Sequence, residues 1–167
     1  MTGDEGRKFE KEYAKWSGVK YAVAVSNGTV ALELSLKALG INSLDEVIVT
    51  SRTFFASVSA IVSVGATPVF ADIDYESQNI SIETIKAVLS KRTKAIICVH
   101  LAGLPCEMGA IMKIANKYKI VFIADLDNFK QTDGTYEVDL QALKLDVKLT
   151  TNAWYMGCLL YTSDAAD

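Results

Sequence analysis

The chain has 167 residues, half of them apolar and 22% charged, which is enough for one domain with a real core. Its formal net charge of −3 gives no electrostatic reason for nucleic acid or an anionic membrane as partner. No apolar run approaches the roughly 20 residues of a membrane span, and the start, MTGDEGRKFEKEY, lacks the apolar centre of a signal peptide.

The three cysteines, Cys98, Cys106 and Cys158, are odd in number and lack metal spacing. A disulfide framework and a metal site are therefore not expected, and a reducing cytoplasm fits the composition. The opening segment GRKFEKEYAKW predicts a helix with Phe9, Tyr13 and Trp16 on one stripe. Beyond it one rhythm repeats. Five short apolar runs, KYAVAVS, EVIVTS, TPVFADID, KAIICVH and IVFIAD, read as strands covered on both faces. Between them VALELSLKALG, FFASVSAIVSVG, SIETIKAVLS and CEMGAIMKIANKYK carry helical spacing. Gly40 and Gly65 mark helix ends, and Ser81 with Glu83 and Thr84 marks a start. Strands alternating with helices imply an α/β fold: a three-layer α/β/α sandwich on a mostly parallel sheet.

After about Phe129 the rhythm fades. The final ten residues, CLLYTSDAAD, reverse-translate into the mosaic-end adapter used in transposon-based sequencing libraries. Cys158–Asp167 is therefore expected to be adapter read-through that packs poorly, with residues 1–157 as the domain proper.

Three junctions carry chemistry. VSNGTVAL, Val25 to Leu32, places a Ser-Asn-Gly-Thr turn at a helix N-terminus. Free N–H groups and the helix dipole there suit a phosphate, Gly28 allows close approach, and the Ser26 and Thr29 hydroxyls add donors. An ordinary N-cap turn explains the same residues. SRTFFAS, Ser51 to Ser57, sets Phe54 and Phe55 at a strand end, where one ring can enter the core and the other face a flat ligand, or both can enter the core. FIADLDN ends the fifth run with Asp125 and Asp127, two apart and so on one face of a continuing strand. A carboxylate there can hold a heteroaromatic nitrogen protonated, or be a solvated loop acid, and Asn128 has the same two readings. His100, the only histidine, reads as a structural hydrogen-bonder or as an acid–base group without a visible partner. Lys91-Arg92-Thr93-Lys94 reads as a solvated loop.

Together FEKEYAKWSGVKYAVAVSNGTVALELSLKALG, DEVIVTSRTFFASVSAIVSVGATPVFADID, TKAIICVHLAG and AIMKIANKYKIVFIAD resemble the DegT/StrS sugar-nucleotide aminotransferases, most strongly over residues 9–125. The resemblance implies part of the large domain of a fold-type-I pyridoxal-phosphate enzyme. It also implies a homodimeric parent that moves an amino group from a glutamate-like donor to a nucleotide-linked keto sugar. By position, Gly28 and Thr29 would hold the cofactor phosphate, Phe54 would stack on the pyridine ring and Asp125 would pair with its nitrogen. Asn128 falls where the family usually has a glutamine near the ring hydroxyl, and His100 lies in the VHLxG stretch beside the site.

The departures are as informative. Downstream, Thr135-Tyr136 and Asp146 fit the family better if Asp127 is its aspartate. In that register the family's Schiff-base lysine falls at about Met156, and Lys144 and Lys148 lack its Ser/Thr-Lys setting. The chain thus reads as about the front two-fifths of the enzyme, without the small domain or the catalytic lysine, binding pyridoxal phosphate weakly at most and inactive alone. Two other readings stay open: a non-catalytic pyridoxal-phosphate- or nucleotide-phosphate-binding domain acting as pseudo-enzyme or regulator, and an unrelated doubly wound nucleotide-binding domain.

Overall fold

A computed structural model describes residues 3–17, 21–126 and 157–161. Helix α1 spans Asp4–Ser17 and α2 Gly28–Ala38; then come β1 Glu46–Thr50, α3 Ala56–Ser63, β2 Thr67–Ala71, α4 Ile82–Val88 and β3 Thr93–Val99. A 3-10 turn over Leu101–Gly103 follows, then α5 Met108–Tyr118, β4 Val121–Leu126 and β5 Gly157–Tyr161. The sheet order is β2-β1-β3-β4-β5. The first four strands run parallel, and β5 joins β4 antiparallel.

Parallel neighbours need a crossover, and the helices that supply it must bury their apolar stripes on the sheet. One layer is built by Ala31, Leu32 and Leu36 of α2 with Ala60 and Ile61 of α3, packed on Val47, Val49, Ile97 and Ile123. The opposite layer sets Ile85 of α4 and Ile111, Ile114 and Ala115 of α5 on Ile48, Ile96, Cys98 and Phe122. Alternate strand residues thus serve alternate faces, as the period of two demands. Both faces of β1 and β3 are covered, which explains their unbroken apolar runs.

The expected α/β sandwich is present, and the helix ends lie near the expected residues. Asn27 caps α2, and Ser81 and Thr84 close a reciprocal capping box on α4. Gly40 and Gly65 turn the chain after α2 and α3 with φ of +71° and +83°, where a Cβ would be strained. On α1 the ring centroids of Phe9, Tyr13 and Trp16 are spaced 5.7 and 5.5 Å apart along one stripe.

Four expectations need correction. Tyr21–Val25, within the KYAVAVS run, forms no strand. A strand needs a hydrogen-bonding neighbour, and here the Ala24 amide instead donates to Glu10 Oε1 of α1 at 2.9 Å. Strand β2 is not covered on both faces: Phe70 is 52% exposed, because β2 forms the sheet edge and meets fewer helix side chains. The tail, expected to pack poorly, contributes Cys158–Tyr161 to β5. An open β4 edge presents unpaired N–H and C=O groups, and a Cys-Leu-Leu-Tyr run suits pairing with it; residues 162–167 lie outside the described set. Finally, Arg92 is not merely solvated, since its guanidinium pairs with Glu46 at the start of β1.

His100 follows β3 and is 1% exposed. Its Nδ1 accepts the Cys106 amide at 3.0 Å, so in the neutral ring the proton sits on Nε2. Cys106 belongs to the core layer of α4 and α5, which places the imidazole on that side of the sheet. Nε2 is buried without a hydrogen-bond partner among the described residues. Burial pulls the His100 pKa down to about 4. Between about 6.5 and 4 the unfolded chain therefore binds a proton that the folded chain refuses, and stability falls as pH falls through that window. Urea unfolding should show a loss on the order of 3 kcal/mol across it, and His100→Asn should remove most of that pH dependence. An unchanged slope in the variant would place the acid sensitivity elsewhere.

Candidate active site at the carboxyl edge of the sheet

All four parallel strands point the same way, so their carboxyl ends share one edge. Strand order reverses at β1: β2 lies on one side of it and β3 on the other. The connection through α3 covers one face, and those through α4 and α5 cover the other. Loops that leave neighbouring strands for opposite faces open a crevice, the usual ligand position in open α/β sheets.

Three junctions meet this edge on the face of α2 and α3. The first is the N-terminus of α2. A cleft at the opposite, amino edge is lined by Leu39, Gly40 and Ile41 beyond the C-terminus of α2, together with Lys94 and Val121 at the starts of β3 and β4. An 11-residue helix spans about 16 Å, close to the length of a five-residue strand. Gly28 therefore lies toward the carboxyl edge. Asn27 Oδ1 takes the Val30 amide at 2.9 Å, and the Asn27 carbonyl takes that of Ala31 at 3.1 Å. The amides of Gly28 and Thr29 have no acceptor among the described residues, which leaves two donors at the positive end of the helix. The N-cap reading holds, since Asn27 caps α2; Gly28 itself is buried at this turn. Ser26 is also at this turn, its Oγ accepting from the Asn27 side-chain Nδ2 at 3.5 Å.

The second junction is the turn between β1 and α3. Phe54 and Phe55 meet edge to face, with centroids 4.9 Å apart and planes at 68°. They are 49% and 69% exposed. The core placement expected for one or both rings does not hold, because neither ring is in the core. The physical reason is local: α3 starts only at Ala56, and its inward positions are filled by Ala56, Ser57, Ala60 and Ile61.

The third is the end of β4. Asp125 pairs in register with Val99 and lies two residues after Ile123, whose side chain joins the α2–α3 core. The carboxyl group is 1% exposed and thus no solvated loop acid. Its Oδ2 accepts the Ser57 hydroxyl from the first turn of α3 at 3.0 Å, and its carbonyl accepts the His100 amide at 2.9 Å. The sequence reading passed over Ser57; the signal was its place three residues after Phe54, on the inward side of α3. Asp127, Asn128, Lys144, Lys148 and Met156 lie outside the described residues. Among the described residues no group of histidine, cysteine and acidic side chains is arranged to hold a metal ion, and no helix is long and apolar enough to cross a membrane.

So placed, a helix N-terminus, an exposed aromatic ring and a buried carboxylate converge from separate junctions, while His100 sits across the sheet. In sequence and in fold the chain is similar to known proteins. The chain is 48% identical over 123 residues to a GDP-perosamine synthase of Escherichia coli O157:H7, covering 74% of this chain and 34% of that protein. It therefore spans about a third of that relative's length. An aminotransferase from Psychrobacter cryohalolentis superposes with a TM-score of 0.76 at 37% identity, over 98% of this chain and 43% of that one. NtdA of Bacillus subtilis, solved with bound cofactor PMP, gives a TM-score of 0.75 at 25% identity, over 96% and 38%. The family profile of the DegT/DnrJ/EryC1/StrS aminotransferases matches residues 1–127, and the chain belongs to that family.

Proposed function

We propose that this chain is the cofactor-binding front portion of a sugar aminotransferase whose cofactor is pyridoxal 5'-phosphate. The observation that carries the proposal is the buried Asp125 carboxylate at the carboxyl end of β4, on the sheet face shared with the N-terminus of α2. The donor set fits the cofactor. Gly28 and Thr29 offer two amides to a dianionic phosphate. The Phe54 ring is exposed enough to stack on a flat heterocycle. Asp125 is a carboxylate fixed by a hydroxyl and suited to a charge-assisted bond with a pyridinium N–H. When bound, pyridoxal phosphate supplies an electron sink that lets an amino group pass between an amino acid and a carbonyl. The chain's own part is to bind, orient and keep the ring nitrogen protonated.

The aminotransferase family and a relative named GDP-perosamine synthase support a nucleotide-linked sugar as acceptor; that the acceptor is a keto sugar and the donor glutamate-like is part of the proposal. Homodimerisation of the parent and a cytoplasmic setting belong to the same proposal. Asp127 remains the alternative to Asp125 as ring-nitrogen partner, with Asn128 beside the ring hydroxyl. The chain carries no Ser/Thr-Lys pair at the position the family register gives, about Met156. We therefore propose that it performs no transfer alone, and that Cys158–Asp167 is adapter read-through. Because a chain without that lysine would equally suit a non-catalytic pyridoxal-phosphate-binding protein, the DNA beyond codon 157 discriminates. A library prepared without transposase should read a different frame there, leading into a lysine motif and a second domain. The same ten codons followed by a natural stop would support the non-catalytic protein instead.

Purified chain should bind pyridoxal phosphate weakly in equilibrium dialysis, with Asp125→Ala weakening it by about tenfold, the worth of one charge-assisted hydrogen bond. No amino transfer from glutamate to a GDP- or UDP-linked keto sugar is expected. Borohydride should fix the cofactor to no single lysine. A single pyridoxyl-lysine at Lys144 or Lys148 in the mass spectrum would instead mark an active, diverged enzyme.

A further inference from the structure

Helix α3 carries three serines with two different habits. Ser59 and Ser63 return their hydroxyls to the carbonyls of Ala56 and Ala60 within the helix, at 3.2 and 2.8 Å, as helical serines commonly do. Ser57 does not. It is wholly buried, and its Oγ crosses from the helix to the sheet to reach Asp125 Oδ2 at 3.0 Å. A second hydroxyl, Thr53 Oγ1, lies 3.0 Å from the same Ser57 Oγ.

The proton inventory orients this chain. A serine hydroxyl has one proton, and an ionised carboxylate only accepts. Ser57 must spend its proton on Asp125, so the bond between Thr53 and Ser57 has Thr53 as donor. The direction is fixed as Thr53 to Ser57 to Asp125. Each donor polarises the next, and the low-dielectric interior strengthens both links. The two hydroxyl residues are also four apart and bracket Phe54, and the Ser57 amide donates to the Phe54 carbonyl at 3.2 Å. The turn that presents the ring and the hydroxyl that grips the carboxylate are therefore one covalent piece, tied at both ends.

We propose that Ser57, backed by Thr53, is the positioning residue for Asp125, holding its carboxylate in the one orientation that meets the nitrogen of a ring placed by Phe54. This rests on the assignment of Asp125 to the cofactor nitrogen. Without the hydroxyl the carboxylate loses the contact that aims its Oδ2, and the bond to the ring nitrogen loses alignment, since hydrogen bonds weaken steeply away from linearity. The loss is specific to that bond; phosphate and stacking contacts are untouched.

The test compares two ligands on the full 167-residue chain by equilibrium dialysis: pyridoxal phosphate, and its carbocyclic analogue with C–H in place of the ring nitrogen. The unmodified chain should prefer pyridoxal phosphate. Ser57→Ala should reduce that preference roughly fivefold by weakening pyridoxal phosphate alone, a change in line with one hydrogen bond to a charged group. Ser57→Thr, which keeps the hydroxyl, should restore it. Thr53→Val, nearly isosteric and solvent-facing in part, should give a smaller reduction and guards against a folding defect in the first variant. If Ser57→Ala keeps the full preference, or weakens both ligands equally, Ser57 does not position Asp125. If the unmodified chain binds both ligands alike, the assignment of Asp125 itself fails, and the role of Ser57 with it.

Discussion

Parallel pairing of β1, β3 and β4 is the constraint from which the rest of this molecule follows. A parallel neighbour cannot be reached by a hairpin, so each strand end must leave the sheet, cross a face and return. The crossing segments here are helices, and each must bury an apolar stripe on the sheet. That requirement covers both faces of β1 and β3 and lets them be apolar throughout. It also aligns every strand carboxyl end, and every helix N-terminus that follows one, along a single edge. Reversal of strand order at β1 then parts the loops at that edge. The topology brings the β1–α3 turn and the end of β4 together at that edge, and α2, which follows no strand, joins them by packing on the same face as α3.

What the edge collects is chemically mixed in a useful way. The α2 turn offers amide donors and the favourable end of a helix dipole, the β1–α3 turn offers an aromatic face, and β4 offers a carboxylate. None of these is strong alone. A dipole contribution is typically below about 1 kcal/mol at an exposed helix end, and a stacking contact is of the same order. Their value lies in fixed relative placement, which limits the freedom a ligand must lose on binding. The Ser57 contact to Asp125 is therefore of more consequence than one hydrogen bond suggests, because it joins two of the three components through side chains as well as through the sheet. On the far face, the burial of His100 and its bond to the Cys106 amide tie down the turn after β3. They remove the only imidazole from the edge chemistry.

The sequence was legible where structure is local. The apolar runs of β1, β3 and β4, the caps at Asn27 and Ser81, and the turns at Gly40 and Gly65 each follow from period, capping chemistry or a need for positive φ. Gly28, Phe54 and Asp125 were found because each lies where a strand-like run gives way to a turn. Long-range circumstances were not legible. Tyr21–Val25 has strand composition, but composition does not supply a pairing partner. The exposure of Phe70 depends on β2 falling at an edge, which is a property of strand order and not of the residue. Cys158–Tyr161 lies in the segment expected to pack poorly, yet β-propensity and an open β4 edge let it pair. The Ser57 contact spans 68 residues of chain, and a serine in a helical run announces nothing about a distant carboxylate.

The central claim is that Gly28-Thr29, the Phe54 turn and Asp125 form one ligand surface at the carboxyl edge. Backbone amide NMR on the labelled chain, titrated with pyridoxal phosphate, tests it directly. The account requires the amides of Gly28, Thr29, Phe54, Ser57 and Asp125 to shift together along one binding curve, with those around Lys94 and Lys119 at the amino edge unmoved. Shifts centred on Lys94 and Lys119, or separate curves for Gly28 and Asp125, would contradict it.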